Sequence, residues 1–367
     1  MRVARLSLRN FRSYPSVEVE LGAGLTVVTG RNGAGKTNLL DGLYFGCTGR
    51  SARTTNEREL VRFGERVTRV EVKTLADDGP HELSVGFESG EPKKMAVDGV
   101  RVERLLDAPG RPLVSVFLPE RLELVKGTPS VRRAHVDQFV VGLWPGRAAT
   151  RRAYAQALAQ RNALLARIRT GGASSSSLSA WDRELARHGV ELMADRAEAI
   201  ASVVDRFAAI AADLGLDGEP AIAYRPRSKA IDADGLAAEL SERHQRDVER
   251  GFTEHGPHRD DLALTREGRE LRAYGSQGQQ RLALLALLLA EREAIAATRD
   301  AIPLMLLDDV MSELDGDRRS RLVQLLRAGG QSVITTTDLD HVPGATEPGV
   351  VRIAVGEGAV LSMAAAA

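Results

Sequence analysis

Residues 30–37 read GRNGAGKT, which satisfies G-x-x-x-x-G-K-[ST] at every fixed position. The run before it, LTVVTG (25–30), is apolar and β-branched, the pattern of a buried strand. The run after it, NLLDGLYFG (38–46), has helical spacing at Leu39, Leu40, Leu43 and Tyr44. A strand, a glycine loop and a helix in that order form a phosphate cradle, whereas a chance glycine-rich turn lacks such flanks. Gly30, Gly33 and Gly35 let the backbone come close to an anion. With Arg31, Asn32 and Ala34 they lead into a helix start whose N–H groups and dipole attract negative charge. Lys36 is placed to reach the β- and γ-phosphates of ATP, and Thr37 to hold Mg²⁺. The first expectation is therefore an α/β chain with ATP and Mg²⁺ as cofactors.

Two later stretches bear on the same site. In AYGSQGQQRLALLALLLAE (273–291) a polar cluster runs straight into a helix of leucine and alanine. Ser276 reads equally well as a helix cap and as part of a site with Gly278 and Gln279. IPLMLLDDV (302–310) is an apolar strand ending in Asp308 and Asp309. Such a strand can deliver a carboxylate to Mg²⁺ at a P-loop on the adjacent strand. SELD (312–315) follows, then QSVITTTDLD (331–340), a strand whose polar end suits a γ-phosphate sensor.

Bulk charge names no partner, since 50 basic and 50 acidic side chains cancel. A local excess does. Between residues 120 and 170 ten Lys and Arg face three Asp and Glu. Arg132, Arg133, Arg151, Arg152 and Arg161 are the candidates for contact with a DNA backbone, with a solvated helix face as the alternative. No aromatic pattern interleaves them, which favours duplex backbone over single-strand stacking. Cys47 is the only cysteine, so no intrachain disulfide can form and a reducing compartment fits. MRVARLSLRNF alternates like a strand rather than a signal peptide. The longest strongly apolar run, LALLALLLA (282–290), falls well short of the roughly 20 residues a membrane span needs. The expected localisation is cytoplasmic, with no membrane partner.

Along the chain, three strands precede the P-loop, and strand-like segments return through residues 67–117 as a β-rich subdomain. From about residue 130 the pattern turns helical. RAATRRAYAQALAQRNALLARI (147–168) and the stretch from Leu178 to Gly215 read as two long helices joined by GGASSSS, making an arm. RELRAYG (269–275) reads as a strand. Residues 1–125 are assigned to the N-terminal half of the head, 126–250 to the inserted arm and 251–367 to the C-terminal half.

P-loop, Ser-x-Gly-Gln, apolar strand with paired acids, Leu-Asp and a polar-ended strand follow the order of an ABC-type ATPase, and the inserted arm points to the SMC-like branch. Within it, LRNFRSY (8–14), FLPERLELVKGTPSVRRAHVD (117–137), HGPHRDDL (255–262), YGSQGQQR (274–281) and LLDDVMSELD (306–315) resemble the RecF family over essentially the whole chain. Thr128 and His135 depart from the family's habit. The resemblance implies an ABC-type head with a P-loop mixed sheet, a β-rich subdomain and a helical lobe. It implies ATP binding by residues 30–37, an Mg²⁺ shell ordered by Asp308, and an attacking water polarised by Asp309. It makes Ser276, Gly278 and Gln279 the cap on ATP held by a second copy, with Asp315 at the same dimer interface. Thr336 and Thr337 stand where transporters carry a histidine switch. Asp309, one methylene shorter than the usual glutamate, implies a weak ATPase.

The implied role is ATP-dependent DNA binding in repair, the SOS response and replication-fork maintenance. An ATP-driven homodimer would clamp duplex or gapped DNA, with RecO and RecR as partners and RecA downstream. A transporter-type ABC ATPase subunit fits the inserted arm poorly. An overcoming-lysogenization-type nuclease would need a further acidic metal centre. His255, His258, Asp260 and Asp261 lie close in sequence, but Gly256 and Pro257 between them favour a turn with a structural or interface role, and Arg259 as an anion contact.

Overall fold

Alternation sets the first strands. In β1 (Arg2–Phe11) Val3, Leu6 and Leu8 are buried, and a bulge between Val3 and Arg5 brings residues of opposite parity to one face. The computed structural model describes residues 1–105, 108 and 111–365. They form two compact units, Met1–Arg121 with Ile295–Ala367, and Leu122–Ala294. This partition places residues 251–294 in the second unit.

In the first unit β1 pairs antiparallel with β2 (Tyr14–Glu20) and β4 (Val67–Ala76). The sheet continues through β5 (Gly79–Glu88), β6 (Lys94–Val97) and β7 (Val100–Val102). A second sheet holds β3 (Leu25–Thr29), β8 (Val114–Phe117), β12 (Leu304–Leu307), β13 (Ser332–Thr336), β14 (Val351–Gly356) and β15 (Ala359–Ala365). Its order is β15-β14-β3-β13-β12-β8, all parallel except β15.

Two expectations are corrected here. β8 does not join the β-rich subdomain. Its apolar residues pair parallel with β12, Leu306 opposite Val116, as a strand buried on both faces does. The carboxylate strand β12 is not adjacent to β3 either, because β13 lies between them.

Helix α1 (Lys36–Thr48) packs against both sheets within one apolar core that includes Leu8, Leu40, Phe45, Val70, Val116 and Leu306. Its glycines permit the approach. A Cβ on Gly46 would lie 2.4 Å from Val72 Cγ2 and 2.8 Å from Val70 Cγ1.

The second unit contains α2 (Glu123–Lys126), α3 (Pro129–Leu143), α4 (Ala148–Arg169), α5 (Leu178–Ala201) and α6 (Val204–Asp213). β9 (Pro220–Arg225), α7 (Ala233–Ser241), α8 (His244–Arg250), β10 (Asp261–Arg266), β11 (Arg269–Glu270), α9 (Leu271–Tyr274) and α10 (Gln277–Arg299) follow, the residues of α10 from Ile295 onward belonging to the first unit. α4 packs along α5 through Tyr154, Ala157, Leu185, Ala186 and Leu192. The long helix expected after Leu178 breaks between α5 and α6. There Ser202 Oγ donates to Ala199 O at 2.7 Å, a side-chain bond that competes with the helix ladder. RELRAYG, expected as a strand, pairs only at Arg269–Glu270 before turning helical.

Gly→Ala inside a helix ordinarily stabilises by about 0.5–1 kcal/mol. At Gly46 the new methyl would strike two stiff valines, and overpacking costs about 1–3 kcal/mol. Gly46→Ala is therefore expected to lower the urea-unfolding stability, by about 1–2 kcal/mol net. A gain in stability would show that α1 has room to move off the sheet.

Candidate functional site

The chain leaves β3 at Thr29 and enters α1 at Lys36, so residues 30–35 form the loop expected from the sequence. Gly30 and Gly35 are obligatory. A Cβ on Gly30 would lie 2.4 Å from Val355 O, and Gly35 has φ +108°. The Tyr14 hydroxyl donates to Gly35 O at 3.0 Å and ties the loop to β2. Arg31, Asn32 and Gly33 are exposed, while Ala34 is buried. Lys36 Nζ folds back to Gly30 O at 2.8 Å and Arg31 O at 3.2 Å. An ammonium held by the loop's own carbonyls lies within reach of any anion cradled there.

Asp308 lies just past β12, and its carboxylate reaches α1. Thr37 Oγ1 donates to Asp308 Oδ2 at 2.7 Å, and Thr335 Oγ1 donates to Oδ1 at 2.6 Å. Burial pushes the Asp308 carboxyl above its ordinary range, and those two hydrogen bonds oppose the rise. A hydroxyl beside a carboxylate is the hard oxygen pair that Mg²⁺ takes from protein. Asp309 is left-handed, with φ 47° and ψ 31°. Its N–H donates to Thr335 Oγ1 at 2.9 Å. Its Oδ1 is buried without a hydrogen-bond partner among the described residues, so this carboxylate keeps acceptor capacity for a ligand's proton.

Thr335 was missed by sequence reasoning. Of the threonines named there, Thr336 bonds Asp338 O at 2.8 Å and Thr337 is exposed. The three threonines read alike in sequence. Only the parallel register, Leu307 opposite Ile334, sets Thr335 beside Asp308.

Ser276 and its neighbours lie in the second unit. Gln279 N–H donates to Ser276 Oγ at 3.3 Å, and Ser276 N–H donates to Gln279 Oε1 at 2.9 Å. This is a capping box. Ser276, Gln277 and Gly278 are exposed at the head of α10, and Gln279 is half-buried. Asp315 caps α11 (Gly316–Arg327), accepting Arg318 N–H at 2.9 Å, and is exposed.

The arginine cluster does not act as one surface. Arg132 is buried and grips Asp261 with two nitrogens, at 2.6 and 3.0 Å. Arg161, fully buried, bonds Asp182 at 2.8 Å and Asp247 at 2.7 Å. Guanidinium groups that are themselves buried and paired with carboxylates do not meet a phosphate from solvent, so these two are corrected from DNA contacts to structural ion pairs. Arg133 is half-buried on Asp260 O, Arg151 is exposed beside Asp137, and Arg152 is exposed.

The HGPHRDDL segment is mostly paired within the second unit, apart from Arg259, which is exposed. His255 pairs with Glu239, Asp260 with Arg196 and Tyr224, and Asp261 with Arg132. His258 Nδ1 accepts the Tyr154 hydroxyl at 2.8 Å, and its Nε2–H donates to Thr253 O at 2.9 Å. Among the described residues no group of three or more His, Cys, Asp and Glu side chains is arranged to hold a metal. No helix among them is long and apolar enough to cross a membrane.

A family model described as an AAA domain matches residues 5–108. The DNA replication and repair protein RecF of Myxococcus xanthus (strain DK1622) is 40% identical over 356 residues, covering 94% of this chain and 93% of that protein. The RecF of Heliobacterium modesticaldum is 38% identical over 349 residues, with 92% and 93% covered. The chain belongs to the RecF family. Among solved structures, the recombination mediator protein RecF with ATP in the RecFOR pathway superposes with TM-score 0.87 at 27% identity, covering 99% of this chain and 98% of that one. An SMC head bound to the C-terminal winged-helix domain of ScpA shares the fold, with TM-score 0.59 at 15% identity over 100% and 98% of the two chains. The motif-based resemblance and the ABC-type, SMC-like α/β fold class are thereby borne out.

Burial holds the His258 imidazole down to about 4, with Arg259, Arg133 and Arg161 adding to the effect against the pull of Thr253 O. The unfolded chain takes up this proton near pH 6.5 and the native state does not, so stability falls as pH drops from 6.5 towards 4. Between pH 7 and 4.5 the wild type is expected to lose about 2–3 kcal/mol more than His258→Gln, compared by urea unfolding. Parallel losses would mean that His258 titrates normally in the native state.

Proposed function

We propose that this chain is an ATP-dependent DNA-binding protein of recombinational repair and replication-fork maintenance, working as its RecF relatives are named to work. The observation that carries the reading is the convergence of Lys36, Thr37 and Asp308 at one glycine loop, with Thr37 Oγ1 on Asp308 Oδ2 at 2.7 Å. The residues fit the implied ligands. The loop admits only glycine at Gly30, and a hydroxyl and a carboxylate are side by side for Mg²⁺. Thr37 and Asp308 would hold Mg²⁺, which when bound supplies positive charge against the phosphate oxygens. Residues 30–35 bind the phosphates through their N–H groups, and Lys36 turns its ammonium from the loop carbonyls to the phosphate oxygens. Asp309 accepts a proton from the attacking water. An aspartate is shorter than a glutamate and this one is held in a left-handed backbone, so hydrolysis is slow.

Ser276, Gly278 and Gln279 cap ATP on a second copy, and Asp315 contacts that copy nearby. On this reading residues 251–294 serve the head although they fold within the second unit, and the division at 125 and 250 is functional. ATP closes two copies on duplex or gapped DNA, with RecO and RecR as partners and RecA loading downstream. Backbone contact falls to Arg133, Arg151 and Arg152, the members of the cluster that keep some exposure.

Arg151 and Arg152 together reversed to Glu are expected to weaken duplex binding and flatten its salt dependence while the fold stays intact. Arg161→Glu is expected instead to lower folding stability by about 3–5 kcal/mol, since it sets a third carboxylate against buried Asp182 and Asp247 and leaves only His244 as a partner for Asp182. Unchanged DNA affinity and salt slope in the double variant would move the DNA surface elsewhere.

Mixing two variants tests the shared site. Lys36→Ala is expected to lose tight ATP binding, and Ser276→Arg to bind ATP yet stay monomeric. A mixed dimer contains one site with neither defect, formed by the P-loop of the Ser276→Arg chain and the Ser276 of the Lys36→Ala chain. Sedimentation with ATP should show partial recovery of dimer, and hydrolysis should return in part. If Ser276 served its own subunit, neither would recover.

A further inference from the structure

We infer that Thr335 is the positioning residue of the metal-binding carboxylate, a role that rests on the nucleotide reading above and extends it to the strand between the two motif strands. β13 separates β3 from β12, and its parallel register sets Thr335 beside Asp308. The residue is fully buried, and its hydroxyl both donates and accepts. It donates to Asp308 Oδ1 at 2.6 Å and accepts the Asp309 N–H at 2.9 Å.

Each bond fixes something different. With Oδ1 held by Thr335, the Asp308 carboxylate cannot rotate freely, and Oδ2 is the oxygen presented to Thr37. The second bond holds the Asp309 amide, and with it the left-handed backbone of a residue whose Oδ1 has no partner among the described residues. One hydroxyl therefore orients the carboxylate that meets the metal and fixes the backbone of the carboxylate next to it. A valine in its place keeps the shape and leaves Asp308 Oδ1 and the Asp309 N–H without a protein partner. Loss of a hydrogen bond that orients a metal ligand lowers metal affinity by about 10- to 100-fold.

The experiment reads nucleotide binding rather than turnover. A fluorescent ATP analogue is titrated onto the full chain in EDTA and then across Mg²⁺ concentrations, for wild type and for Thr335→Val, Thr335→Ser and Thr335→Ala. Thr335→Val is expected to raise the Mg²⁺ midpoint about 10-fold or more, while affinity in EDTA stays within about twofold of wild type. Thr335→Ser is expected to keep the wild-type midpoint. If the valine variant fails to fold, the comparison of Ser with Ala, which differ only by the hydroxyl, decides the matter. An unchanged midpoint on loss of the hydroxyl overturns the inference. So does an equal loss of affinity with and without Mg²⁺, or a Ser variant shifted as far as Ala. Absence of nucleotide binding in the wild type would overturn the ATP reading itself, and the inference with it.

Discussion

The glycine-loop end of the first unit depends on β13 running between the strand before that loop and the carboxylate strand. Adjacent strands are about 4.8 Å apart, so β3 and β12 are separated by about twice that distance. The Asp308 carboxylate therefore crosses above β13 to reach Thr37 at the start of α1. That crossing works only if the residue of β13 beneath it is small and offers a donor, and Thr335 satisfies both conditions. A bulkier side chain would fill the space over β13, and an apolar one would leave a buried carboxylate oxygen without a hydrogen bond.

Helix α1 supplies the other half of the arrangement. It packs between the two sheets, with Gly42 and Gly46 giving close approach to β1 and β4, so the loop before it is fixed at both ends. Tyr14 adds a tie from β2 to Gly35 O. Residues far apart in the chain thus meet because three buried elements leave the loop one position.

What was legible in the sequence follows from the range of each interaction. The strand, glycine loop and helix of residues 25–48 are legible in the sequence because they are consecutive. Asp308 and Asp309 were read from the apolar strand before them, but their neighbour was misjudged, since strand order is a property of the whole sheet. β8 was misplaced for the same reason. Thr335 was hidden because TTT offers three equivalent hydroxyls, and register alone selects one. The arginines failed differently. Arg132 and Arg161 sit in helices rich in basic residues, where a solvated face is the ordinary reading. Their partners Asp261, Asp182 and Asp247 lie 21 to 129 positions away. Local charge counts cannot see a buried pair at that separation.

At Ser276 the structure shows the cap, and the cap is compatible with the proposed site. The Ser276 hydroxyl and backbone form a reciprocal cap with Gln279, which stabilises the first turn of α10. The same cap leaves the outer helix-start amides around Gly278 facing solvent, at the positive end of a helix of 23 residues. Behind that turn, Leu282 to Ala290 are buried without interruption. The core therefore fixes the direction of the helix while its polar end stays open. A cap that rigidifies an exposed helix start also preorganises it for an anion, because the amides need no further ordering when the charge arrives. A cap therefore does not argue against a site at Ser276.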